Sequence, residues 1–98
     1  MKYVATNGEV YIQARSLSKL SRKVERYLVK TAKIELKREL DVSPLEEYYG
    51  RYRIRYFDYQ VNIKKLGVQS VTVKGMYIFN EEIAMWDITR EFEVSKRW

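Results

Sequence analysis

A chain of 98 residues with neither cysteine nor histidine excludes disulfides, thiol catalysis and cysteine-based metal sites, and lacks the commonest metal ligand and general base. Hydrophobics at 46% and charged residues at 33% describe one folded domain, residues 1–98, rather than a disordered tract. The formal net charge of +6 lies entirely in residues 1–40, where ten Lys and Arg meet four acids, while residues 41–98 hold nine of each.

Residues 2–5 and 10–14 are β-prone runs around Thr6-Asn7-Gly8-Glu9. Asn-Gly tolerates positive φ at both positions and predicts a two-residue hairpin turn. That turn pairs Ala5 with Val10 and Tyr3 with Ile12 on a core face, and Val4 with Tyr11 on the other. Ser16 or Ser18 then caps a helix. Its apolar stripe is Leu17, Leu20, Val24, Tyr27, Leu28, Thr31 and Ile34. Residues 32–37 also alternate with period two, as a strand would. Helix is preferred, because no turn residue follows Lys30 and nearly every residue is a good helix former. Val29, Leu36 and Leu40 fall on a flank that needs its own cover.

Ser43-Pro44-Leu45-Glu46 reads as a capping box with proline at the first helical position, opening a short helix ended by Gly50. A β segment follows over residues 51–64. Tyr52, Ile54 and Tyr56 alternate in one phase, and Phe57, Tyr59, Val61 and Ile63 in the other. The switch at Tyr56–Phe57 predicts a β-bulge or a strong bend. A turn at Lys65-Leu66-Gly67 pairs Val61 with Val71 and Tyr59 with Val73.

A second turn at Glu81-Glu82 pairs Phe79 with Ala84, Tyr77 with Trp86, Gly75 with Ile88 and Val71 with Phe92. On the opposite face it pairs Ile78 with Met85, Lys74 with Thr89 and Thr72 with Glu91. Arg90 falls in the inward phase opposite Val73, where it needs an acid, a pocket or an exposed strand end. The expected fold is α+β: a two-layer ββαβββ arrangement in which a mostly five-stranded antiparallel sheet packs on one long amphipathic helix, with a short helix before the third strand.

Function rests chiefly on one pattern. Lys19, Arg22, Arg26, Lys30, Lys33 and Lys37 recur at gaps of three or four residues with no acid among them. On a helix they share one side, over about 27 Å at 1.5 Å per residue. Such a row suits the phosphate backbone of a nucleic acid. A solvated helix face, or a dock for an acidic protein or anionic membrane surface, are the competing readings. Arg15 extends the row only if the helix starts at its earliest point. Arg51, Arg53 and Arg55 alternate on a strand, where they form a secondary phosphate platform or pair with Asp87, Glu91 and Glu93.

Met76, Ile78, Ile83 and Met85 form an outer apolar patch, beside Val4 and Tyr11 if the two hairpins are adjacent. With the flank at Val29, Leu36 and Leu40 it points to a protein interface and a homodimer. No carboxylate pair converges and no glycine-rich phosphate loop exists, so an enzyme, a cofactor and a metal are not expected. No apolar run reaches the roughly 18 residues of a membrane span and no leader pattern opens the chain, which favours a cytoplasmic (intracellular) protein. Small, basic, cysteine-free α+β chains of this kind occur among viral and mobile-element accessory proteins, and no motif in this chain assigns it to a family. The expected function is nucleic-acid binding without catalysis. The alternative is an inhibitor or adaptor that docks on a protein through its sheet patch or basic helix.

Overall fold

Strand and helix periodicities resolve into β1 (Lys2–Thr6), β2 (Tyr11–Ala14), α1 (Leu17–Glu39), β3 (Tyr52–Gln60), β4 (Gly67–Phe79) and β5 (Glu82–Arg97). The computed structural model describes residues 1–39, 52–79 and 82–97. The expected short helix at residues 43–50, together with Leu40, Arg51 and Glu81, lies outside them. The class is α+β, with an antiparallel sheet and one long helix on it. The strand order is β2-β1-β5-β4-β3. Pairing of β1 with β5 joins the two hairpins into one sheet, an antiparallel ladder running from Lys2↔Arg97 to Thr6↔Glu93. No helix among the described residues is long and apolar enough to cross a membrane.

Helix α1 begins where the chain supplies a cap. The Lys19 N–H donates to Ser16 Oγ at 3.2 Å and the Leu20 N–H to the Ser16 carbonyl at 2.9 Å, so Ser16, not Ser18, is the cap. The helix continues through residues 32–37, and the period-two alternation there is incidental. Leu20, Val24, Leu28 and Ala32 are its buried line. Ile34, expected in the stripe, is 45% exposed, and Ala32 takes its place. A row of i, i+4 positions drifts by about 40° per step around the helix, since each residue turns about 100°. Packing along that row brings Ala32 in and turns Ile34 out by its last step.

Under the helix lie Ala5, Ala14, Val71, Val73, Ile88, Phe92 and Val94, with Phe92 fully buried and edge-on to Tyr27 at 6.4 Å between ring centres. Val4 is on the face away from the helix, as its phase requires, yet is only 1% exposed. The Arg97 guanidinium lies 5.2 Å over the Tyr11 ring. Arg97 is level with Lys2 and Tyr11 with Thr6, so this pair reaches across Val4 and roofs it.

Both hairpin registers differ from the expected ones by two residues. In the first, Tyr3 meets Ala14, Ala5 meets Ile12 and Thr6 meets Tyr11. Asn7 Oδ1 accepts from the N–H groups of Glu9 and Val10, both at 3.0 Å, and Gly8 has φ 91°. The asparagine side chain thereby stabilises a wider loop over residues 7–10 in preference to a two-residue turn. In the second, Gly75 meets Trp86, Val71 meets Arg90, Thr72 meets Thr89, Lys74 meets Asp87, Met76 meets Met85 and Ile78 meets Ile83. This register sets the large indole across from the only residue type without a side chain. It also joins the two threonine hydroxyls at 2.8 Å. A shift of two preserves the facing of every residue, because the side-chain period is two.

The third pairing agrees with the sequence in its main features. Tyr59 meets Val73, and the register slips between Tyr56 and Asp58, leaving Phe57 as the bulge. The strand ends at Gln60, short of the expected Lys64. Residues 61–64 leave the sheet for the helix, where Ile63 is 2% exposed. The Ile63 N–H donates to Ser21 Oγ at 2.7 Å and the Ser21 hydroxyl donates to the Ile63 carbonyl at 3.3 Å. Ser21→Ala leaves both backbone groups buried without that partner, so a loss of about 1–3 kcal/mol is expected in urea denaturation. A change below a few tenths would show that water replaces the hydroxyl.

Candidate nucleic-acid interface

Five members of the cation row, Lys19, Arg22, Arg26, Lys30 and Lys33, are exposed, and Lys37 continues the line in α1. At about 100° per residue the six span about 80° of the helix circumference, centred opposite the buried line. The reason is local: the buried line Leu20, Val24, Leu28 and Ala32 lies on the other side of the same helix. Lys19, Arg22, Arg26 and Lys30 form no ion pair among the described residues. Glu35 is off the row and engages Arg90 at 3.1 Å, which settles the inward-phase arginine as a half-exposed pair. Asp87, Glu91 and Glu93 are exposed on β5 in the phase opposite to Ile88 and Phe92, so they sit on the far face of the sheet and do not neutralise the row.

The secondary candidates scatter. Arg15 precedes the helix and is not part of the row. Arg53 and Arg55 stand opposite Ile78 and Met76 on β4, a full strand away from β5. Asp87 is across from Lys74, Glu91 from Ser70 and Glu93 from Val68, so neither Arg53 nor Arg55 is the direct cross-strand neighbour of these acids. Among the interface candidates, Val29 packs against the core cluster, which removes it from the open flank. Leu36 is in α1. Met76 is partly buried, while Ile83 and Met85 are 64% and 65% exposed. Met76↔Met85 and Ile78↔Ile83 are paired rungs near the same end of β4 and β5. Val4 and Tyr11 are not beside them, because Val4 pairs with Ser95 at the other end of β5.

Two cations that the linear pattern passed over join the site. Lys2, Arg15, Lys19 and Lys23, with Gln13 and Ala14, line a hollow of about 360 Å³ where β1, the end of β2 and the start of α1 meet. The Lys23 Nζ donates to the Gln13 carbonyl on edge strand β2 at 2.7 Å. Lys19 and Lys23 are four apart and legible as neighbours on a helix. Lys2 and Arg15 arrive through the β1–β2 pairing, for which the sequence held no signal beyond the hairpin. Comparison of the chain with family models, curated proteins and solved structures gives no match.

Proposed function

We propose that this protein binds nucleic acid without sequence readout, laying the exposed face of α1 along a phosphate backbone. The observation that carries the reading is the acid-free row Lys19, Arg22, Arg26, Lys30, Lys33 and Lys37 on the side of the helix away from the core. Its length, about 27 Å, compares with the roughly 34 Å of one duplex turn. Each cation that meets a phosphate releases a counterion, so affinity comes from charge density and needs no cofactor or catalytic group. Binding of random-sequence duplex DNA, single-stranded DNA and RNA, read by fluorescence anisotropy, tests it. With six cations on phosphates, affinity is expected to fall about a thousandfold between about 50 and 200 mM salt. Absence of binding at the lower salt would end the reading, and the polymer bound most tightly identifies the partner class.

A second reading, a protein-docking inhibitor or adaptor acting as a homodimer or on another chain, is favoured by the exposure of Ile83 and Met85 on the outer face of the sheet. It predicts that Met85→Asp abolishes association while the salt dependence stays shallow. The nucleic-acid reading predicts that the same substitution leaves DNA affinity within about twofold, since every phosphate-binding cation remains in place.

A further inference from the structure

The hollow between β1, β2 and α1 concentrates charge in a way the row does not. Along the row the cations follow one another at about 4.5–6 Å in axial rise on one side of the helix, one charge per backbone phosphate. In the hollow, four of the six residues that line a single volume of about 360 Å³ are basic, and no acid lines it. They come from three parts of the chain: Lys2 from β1, Arg15 from the link after β2, and Lys19 and Lys23 from α1. The first turn of α1 carries no acid, so the positive end of the helix dipole adds to the same field uncompensated. Lys2, Arg15 and Lys19 form no ion pair among the described residues. Lys23 is held in place by its bond to the Gln13 carbonyl, which uses one of its three N–H donors and leaves two. Four like charges held together repel one another, and an anion of more than one charge relieves that repulsion best.

We propose that this hollow binds a phosphomonoester, whose dianionic group matches the local charge better than a singly charged phosphodiester does. Arg15 offers a planar fork for two of the phosphate oxygens, and Lys2, Lys19 and Lys23 offer point charges around the rest. The group has two possible sources, the phosphorylated end of a nucleic-acid strand lying along the row or a free mononucleotide. The site does not depend on the row being a backbone interface, because its ligand need not be a polymer.

The test compares the wild-type chain with Lys2→Gln/Lys23→Gln, neither of which is in the row. One arm measures anisotropy with 5′-phosphate and 5′-hydroxyl versions of one short oligonucleotide. The other follows Tm with a nucleoside 5′-monophosphate and with the nucleoside alone. The wild type is expected to prefer the phosphorylated strand about tenfold, one set of charge-assisted hydrogen bonds being added. Its Tm should rise with the monophosphate and not with the nucleoside. The double variant should lose both effects. A Tm rise without a strand-end preference would support the hollow with the free nucleotide as its source. Binding of neither strand together with a monophosphate-dependent Tm rise would defeat the backbone reading and leave this one standing. Equal responses from wild type and variant, or no response to either phosphate, would overturn it.

Discussion

Arg26→Glu/Lys30→Glu is expected to weaken binding to duplex DNA about 200-fold at about 50 mM salt, before any repulsion by the new acids is counted. The figure follows from the dependence of affinity on salt. Each phosphate neutralised by a cation adds about 0.9 to the slope of log affinity against log salt. Leaving two phosphates unneutralised at about 0.05 M therefore removes a factor near 0.05 raised to the power −1.8. The slope itself should flatten from about −5.4 to about −3.6. Both residues are exposed, both lie mid-row, and neither forms an ion pair among the described residues. Glu, Arg and Lys have nearly equal helix propensity, so far-ultraviolet circular dichroism and Tm should stay close to those of the parent. A folded double variant that binds within threefold of the parent, with an unchanged slope, would show that α1 is not the binding surface.

Phe92→Ala is expected to cost about 3–5 kcal/mol in urea denaturation. A chain of this size has a total stability of about 5–15 kcal/mol, so the substitution removes from about a fifth to all of it. The reason is its position. Phe92 is wholly buried on β5, a strand paired with both β1 and β4, and its ring abuts Tyr27 of α1 edge to face. Removing the ring opens a cavity at the point where both hairpins and the helix meet, and rigid strands on either side limit its collapse. Phe92→Leu retains most of the volume and should cost less than about 1.5 kcal/mol. A Phe92→Ala protein that unfolds at nearly the parent's urea midpoint would place the centre of the core elsewhere.

Much of the architecture is legible in the chain because it is written in periodicity. Leu20, Val24 and Leu28 recur every four residues, and this alone places α1 and its buried side. The phase change at Tyr56–Phe57 marks the bulge because the apolar alternation of a strand cannot change phase without an extra residue. The facing of the described side chains on β1, β2, β4 and β5 is the expected one despite a two-residue difference of register in both hairpins. Alternation fixes which face a side chain occupies and is blind to shifts of two. For the same reason the cation row is visible in the sequence: its members and the core residues are sorted by the same 3.6-residue period.

What the tertiary structure decided is everything that depends on distant segments meeting. One local choice also escaped the periodicity: the wider loop at Asn7 depended on a side chain choosing backbone N–H groups two and three residues on over a tight turn. The pairing of β1 with β5 set the strand order and carried Val4 to Ser95, far from Met85. Arg90 found Glu35, 55 residues away, and Ile63 left its strand to meet Ser21. The gathering of Lys2 and Arg15 beside Lys19 and Lys23 belongs to the same class. Short-range spacing records which way a residue faces along its own element. Which elements become neighbours follows from how the whole apolar surface is buried at once, a property of the packed chain and of no local segment.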